Sequence, residues 1–213
     1  MLNLIFPPKC VLCRNLLDKG QTDLCHHCRT HAPEFSRAKR NIPFLAQWTA
    51  VWYYKDDVRK SIQRFKFGNL RGYCNVYARL LAVQLQKERL DTFDILTWVP
   101  TSFLRQLKRG YDQSALLARA LGNELGVEAI QVLKKVRHTP PQSGIRDAAR
   151  RRANVLGAYR VIDRELIAGK RILLLDDVIT TGSTASECAK TMLIAGAKDV
   201  SFAAVAAAYH DKK

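Results

Sequence analysis

From Trp48 onward the chain switches repeatedly between two hydrophobic patterns. Trp48 to Tyr54 is aromatic and β-branched, which predicts a strand, and Asp56 to Phe67 follows with Val58, Ile62 and Phe65 at helical spacing. Arg59, Lys60, Arg64 and Lys66 fall largely off that apolar face. Gly72 to Glu88 then reads as a helix, Phe93 to Val99 as a buried strand ending at Pro100, and Ser114 to Leu125 as a helix with Leu117, Leu121 and Leu125 four apart. Ile130 to Val136 is a further predicted strand. Beyond an arginine-rich stretch with prolines come a strand from Lys170 to Asp177, a helix from Ser183 to Ala195 and a strand from Val200 to Ala206. Strands alternating with helices imply right-handed crossovers, hence an α/β fold with a mostly parallel sheet flanked by helices.

The segment before about Pro43 behaves differently. It is punctuated by cysteines and prolines and has no apolar periodicity that could bury a core, so something other than hydrophobic burial must hold it. The expected organisation is a small segment over residues 1–45 and an α/β domain over residues 46–213. A chain of 213 residues has room for one full domain and such an appendage.

Cys10-Val-Leu-Cys13 and Cys25-His-His-Cys28 explain what holds the first segment. Two residues between cysteines let both thiolates of a turn face one point, and two such turns close a tetrahedron around Zn²⁺. All four ligands being protein groups makes the metal structural, and its binding energy becomes folding energy. An iron–sulfur cluster has the same ligand count. A thioredoxin-like site would need one exposed pair in a βαβ context, and here there are two pairs without it. Cys74 and Cys188 lie in helical patterns and read as buried free thiols.

Composition narrows the setting. With 47% hydrophobic and 25% charged residues the chain is globular, and no apolar run approaches the roughly 20 residues that span a bilayer. The N-terminus has no early basic cluster, and its apolar run breaks at Asn3 and stops at Pro7 and Pro8, unlike a signal peptide. The expected location is the cytoplasm, where paired cysteines hold metals more often than disulfides. Lys and Arg number 35 against 19 Asp and Glu, a formal +16, which creates a positive potential attractive to polyanions. A merely well-solvated basic surface is the plainer reading of that excess.

The most informative stretch runs from Arg171 to Thr184. Four aliphatics, Ile172 to Leu175, suit a strand covered on both faces, and Asp176 and Asp177 follow at its C-terminal end, where open α/β sheets bind ligands. Thr180, Thr181, Gly182, Ser183 and Thr184 then lead into a helix. Hydroxyls with backbone N–H groups at a helix N-terminus form an anion cradle. The carboxylates just upstream can accept from ribose hydroxyls, and Mg²⁺ can be shared with a diphosphate. The implied ligand is a sugar with phosphate at one end and pyrophosphate at the other. Ordinary capping by Ser183 or Thr184 would explain the hydroxyls but not the carboxylates. Neither G-x-x-x-x-G-K-[ST] nor G-x-G-x-x-G occurs, which excludes an ATP cradle or a dinucleotide fold.

Asp176 to Thr184 resembles the phosphoribosyl pyrophosphate (PRPP) motif of type I phosphoribosyltransferases. The chain as a whole resembles the ComF family of competence proteins in the order of its motifs. These are the four-cysteine finger, then Val99-Pro100 with Lys108-Arg-Gly-Tyr-Asp-Gln113, then Gln142 with Arg151-Arg-Ala-Asn154, then the PRPP motif. The resemblance implies a phosphoribosyltransferase-like fold and a role in importing single-stranded DNA during natural transformation. By that likeness Asp176, Asp177 and Arg109 are the catalytic candidates, and Thr101, Ser102 and Asp176 to Thr184, with Val178 and Ile179 between them, the PRPP-binding ones. Backbone amides near Thr101 and the guanidinium of Arg109 would grip pyrophosphate. Asp112 departs from the Arg-Gly-aromatic-Asn-Gln pattern, which argues against direct phosphate contact by its side chain.

Two further segments are rich in cations. Lys134 to Arg152 carries Arg146, Arg150, Arg151 and Arg152 against Asp147 alone, and Pro140 and Pro141 bar regular structure, as in a lid over the site. Arg59, Lys60, Arg64 and Lys66, interleaved with aromatics, together with Lys108 and those four arginines, form the candidate surface for single-stranded DNA, with Tyr53 and Phe67 as weaker stacking platforms. No duplex-reading motif stands out. The leading expectation is a DNA-uptake protein that binds single-stranded DNA and Mg²⁺ with PRPP, in contact with DNA-import or recombination proteins. The alternatives are an active phosphoribosyltransferase of unknown acceptor and a regulator that senses PRPP.

Overall fold

The structure is a computed structural model, and it describes residues 7–36, 41–137, 139 and 153–209, without the side chains of residues 104, 105 and 108. A short helix, α1 (His26–His31), belongs to the cysteine segment. Then follow β1 (Trp48–Tyr53), α2 (Asp56–Phe67), α3 (Tyr73–Lys87), β2 (Ile95–Trp98), α4 (Phe103–Arg109), α5 (Gln113–Leu125), β3 (Leu133–Lys135), β4 (Tyr159–Val161), α6 (Arg164–Ile167), β5 (Arg171–Ile179), α7 (Ser183–Ile194) and β6 (Asp199–Ala207).

Four strands form a parallel sheet in the order β1-β6-β5-β2, with Leu175 opposite both Trp98 and Ala203. Ile172 to Leu175 are wholly buried because the sheet is covered on both faces, as their unbroken aliphatic run requires. Alternation divides them: Leu173 and Leu175 pack with Leu96, Trp98 and Val205 against Phe65, Tyr77 and Leu117 of α2, α3 and α5. Ile172 and Leu174 pack with Ile95, Phe202 and Ala204 against Cys188, Ala189 and Met192 of α7. The free edge of β1 is partly covered by the incoming chain, where Phe35 donates to the Val51 carbonyl at 3.0 Å and Tyr53 to that of Pro33 at 2.7 Å.

Three expectations need correction. Ile130 to Val136 does not enter the parallel sheet: Ile130 donates to the Leu96 carbonyl, after which the chain peels away and Leu133–Lys135 pairs antiparallel with Tyr159–Val161. The stretch after Ser102 with Arg105, Lys108 and Arg109, expected from the sequence to be a loop that binds pyrophosphate, is a helix, α4; Gly110, at φ 77°, caps its end. The strand carrying the aspartates continues through them to Ile179, so Asp176 and Asp177 stand inside β5.

The cysteine segment is packed into the main core. Val11, Leu12 and Leu24 are buried with Phe65 and Tyr77, and withdrawing Leu12 alone from water contributes about 2 kcal/mol. On the opposite face, Ile42 and Leu45 join the cluster around α7.

Candidate functional site

The metal centre comes first along the chain. The four sulfurs of Cys10, Cys13, Cys25 and Cys28 lie within 4.8 Å of one another, with Cys13 and Cys25 Sγ 3.6 Å apart. Tetrahedral coordination at the usual Zn–S length of about 2.3 Å puts sulfurs roughly 3.8 Å apart, so the set fits zinc. The Cys25 sulfur also caps α1, accepting from the Cys28 amide at 3.5 Å. His26 and His27 are exposed, and the His27 ring stacks on His31 at 4.5 Å, which leaves the sulfurs as the ligand set.

This knuckle is bolted to α2. Ser61 Oγ donates to the Val11 carbonyl at 2.5 Å, and Arg64 donates to the Val11 carbonyl at 3.2 Å and to that of Leu12. Arg64, expected on a DNA-binding surface, is thus engaged inside the protein, because the carbonyls between Cys10 and Cys13 point at α2 and need donors. Arg79 adds a pair with Asp23, Nε to Oδ2 at 2.8 Å.

The second site is a cleft of about 720 Å³ at the C-terminal edge of the sheet, which Asp176 and Asp177 both line. Asp177 is 3% exposed; its Oδ1 pairs with Lys66 Nζ at 2.7 Å, and its buried Oδ2 has no hydrogen-bonding partner among the described residues. Lys66, also expected on the DNA surface, therefore sits in the cleft as the counter-ion of an acid. Asp176 Oδ1 accepts from Ser114 Oγ and from the Asp177 amide, both at 2.8 Å. Burial, reinforced by the Asp177 charge, pushes the Asp176 carboxyl up to about 7, against the opposing pull of Lys66 and these hydrogen bonds. Gln113 lines the same cleft with Oε1 buried and unpaired among the described residues.

Beyond β5 the chain turns through Thr180 to Ser183 into α7. Gly182 sits at φ 79°, and a Cβ there would meet Ile42 Cδ1 at 2.9 Å, so both backbone and packing demand glycine. Thr181 Oγ1 and Ser183 Oγ hydrogen-bond at 2.8 Å across the turn. Thr180 and Thr184 face the cleft beside the positive end of the α7 dipole.

On the opposite wall, the Thr101 amide and hydroxyl donate to Asp112 at 3.0 and 3.3 Å. Asp112 also caps α5 by accepting from the Ser114 and Ala115 amides at 3.0 and 3.1 Å. That explains an acid in this position: every neighbour is a donor. It also means that the Thr101 amide, assigned to pyrophosphate from the sequence, is occupied by Asp112. Ser102 is buried, with Oγ unpaired among the described residues. Arg109 lines the cleft with its guanidinium 4.9 Å from the Phe67 ring centre.

Of the other proposed DNA contacts, Arg59 and Lys60 are exposed, and Lys60 pairs with Asp57 at 2.9 Å. Arg146, Arg150, Arg151 and Arg152, the rest of the supposed lid from residue 140, and the Lys108 side chain lie outside the described residues. Tyr53 is half-buried against Phe35, while Phe67 is 70% exposed on the cleft wall. Gln113, Ser114 and the inward role of Lys66 were missed from the sequence. The only signal was weak: Lys66 directly follows the fully buried Phe65 near the end of α2.

Comparison with known proteins bears on the fold and on the cysteine segment. Residues 108–213 match the phosphoribosyl transferase domain, and residues 1–39 match the double zinc ribbon domain. The protein therefore has a type I phosphoribosyltransferase-like fold behind an N-terminal double zinc ribbon, and the four cysteines are a structural zinc site. Competence protein F of Haemophilus influenzae is 29% identical over 94% of this chain and 96% of that protein. DNA utilization protein YhgH of Escherichia coli O157:H7 is 28% identical, over 92% and 96%. Competence protein ComFC of Bacillus subtilis is 25% identical, over 88% and 78%. The chain is a homologue of these competence and DNA utilization proteins. Among solved structures, an allosteric regulatory enzyme of purine biosynthesis aligns with a TM-score of 0.44 at 19% identity, over 66% of this chain and 29% of that one.

Among the described residues, no helix is long and apolar enough to cross a membrane.

Proposed function

We propose that the protein binds PRPP with Mg²⁺ in the cleft and single-stranded DNA over its basic surface, and acts in DNA uptake or use. The observation that carries the first half is the buried, unpaired Oδ2 of Asp177, an acceptor held at the strand end beside a hydroxyl-lined helix N-terminus. An orphaned buried carboxylate oxygen is costly unless a ligand supplies a hydroxyl or a cation. In this reading Asp176 and Asp177 hold the ribose end, and Thr180 to Thr184 cradle the 5′-phosphate. Arg109 faces the pyrophosphate from the opposite wall. Bound Mg²⁺ would supply charge neutralisation to the pyrophosphate. PRPP with Mg²⁺ should raise the thermal unfolding midpoint of the wild type and not of Asp177→Asn; equal shifts would remove the assignment.

The DNA half rests on the +16 charge and on the names of the homologues. Cytoplasmic location follows from the same role. Affinity for an oligonucleotide should fall steeply with salt as counterions are released, and a shallow slope would count against it.

A second reading, transfer of the pentose, is favoured by Phe67, an exposed ring on the cleft wall that offers an acceptor a flat face. There a nucleophile would bond to the anomeric carbon as the bond to pyrophosphate breaks, with Asp176 placed to take the nucleophile's proton. Pyrophosphate release from PRPP across a panel of bases and amines tests it.

A further inference from the structure

Lys66 joins two parts of the molecule. Two residues before it, Arg64 grips the zinc knuckle; one residue before it, the Phe65 carbonyl accepts from the Tyr111 hydroxyl. The end of α2 is thereby held from both sides, yet the ammonium rides on a flexible stem reaching into the cleft, with its side chain 20% exposed against 5% for Asp177. A purely structural ion pair would satisfy both carboxylate oxygens. Here one oxygen is paired and the other is buried without a partner among the described residues.

We propose that Lys66 is an internal cation that reserves the acid pair for a metal arriving with its phosphorylated ligand and refuses free divalent cations. The proposal rests on reading the cleft as a site for a metal-bound phosphorylated compound. A divalent ion entering alone would meet the ammonium on the same carboxylate, with Arg109 and Lys135 also lining the cleft. At Oδ2 alone the ion would face these cations with no anion to offset them, and to take both oxygens it would strand Lys66 in a partly buried place. Either way the cost exceeds what the metal contact returns. A phosphorylated ligand changes the balance. It carries an anionic oxygen to Lys66 while its ribose hydroxyls and the metal that accompanies it together satisfy Asp177, so partners are exchanged and no charge is stranded. Metal and anion then favour each other through the lysine, and by linkage the effect is reciprocal.

The test uses the full-length, zinc-loaded chain and Mn²⁺ alone, without any phosphate, following the free-ion signal by electron paramagnetic resonance. The wild type should bind Mn²⁺ weakly, with a dissociation constant at or above roughly 1 mM. Lys66→Met should bind it at least about ten-fold more tightly, within the usual range of such couplings. Lys66→Gln keeps a hydrogen bond to Asp177 and should show the same gain, which covers the case in which the methionine variant does not fold. Adding Asp177→Asn to either should abolish the gain. Lys66 variants no tighter than wild type, or a wild type that already binds free Mn²⁺ at micromolar levels, would overturn the proposal. The reading of the cleft fails separately: if PRPP gives no protection while the Lys66 variants still gain Mn²⁺ affinity, the ligand is wrong and the lysine gate stands.

Discussion

Four cysteine sulfurs and two aspartate carboxylates form two concentrations of potential negative charge among the described residues, and α2 lies against the segments that carry them. The sulfurs lie within 4.8 Å of one another on a short segment packed by Val11, Leu12 and Leu24, and α2 touches that segment through Ser61 and Arg64, which bind its carbonyls. Zinc held by four cysteines supplies the charge that keeps them deprotonated. The carboxylates are treated differently: Lys66 covers Asp177, burial and the Asp177 charge raise the Asp176 carboxyl to about 7, and Asp177 Oδ2 has no partner among the described residues. The contrast separates a structural metal centre, which is part of the fold, from an acid pair that the fold already meets with a cation of its own.

The comparison can be broken most forcefully at the knuckle. Cys25→Ser should release zinc and destabilise the protein by at least about 4 kcal/mol, since metal binding there is folding energy and Leu12 and Leu24 lose their seat. Metal analysis and thermal unfolding check it; undiminished stability after zinc loss would make the two centres alike. Next in size is Gly182→Ala, expected to cost about 1–2 kcal/mol through its left-handed backbone, with further loss from the clash with Ile42. Denaturant unfolding reads that cost, and PRPP protection should weaken with it.

A pH series sharpens the carboxylate side. A carboxyl raised to about 7 in the folded state takes up protons that the unfolded chain has already released, so it lowers stability progressively as pH rises from about 4 to about 7. Asp176→Asn removes that penalty. Its unfolding midpoint should exceed that of the wild type by a few degrees at pH 8, and the gap should narrow toward pH 5.5. A gap that widens toward acid would mean Asp176 is stabilised as the anion. The smallest effect belongs to Arg79→Ala, which breaks the partly exposed pair with Asp23 and should cost under about 1 kcal/mol by denaturant unfolding.

Much of this architecture was legible in the sequence because local pattern and burial agree. Val58, Ile62 and Phe65 mark the buried face of α2, which spans Asp56–Phe67 as the spacing predicts, and the unbroken run Ile172 to Leu175 marks a central strand. Helix α4 was missed for a physical reason: Phe103 and Leu107 are 74% and 71% exposed, so the helix buries too little to write a period into the chain. β4 and α6, at three and four residues, are too short to show one. The cysteine spacing announced its chemistry outright. Asp176 and Asp177 announced theirs only by breaking an aliphatic strand, and nothing local revealed that Lys66 and Ser114 would meet them, because those contacts are made by the fold.

The central claim is that the cleft at Asp176 to Thr184 takes an activated, phosphorylated pentose. Calorimetric titration of the zinc-loaded protein with PRPP in excess Mg²⁺ addresses it directly. The account predicts saturable binding on the order of micromolar, weakened at least about ten-fold, or about 1.4 kcal/mol, in Asp177→Asn. Absence of binding at millimolar PRPP, or the same affinity in that variant, would contradict it.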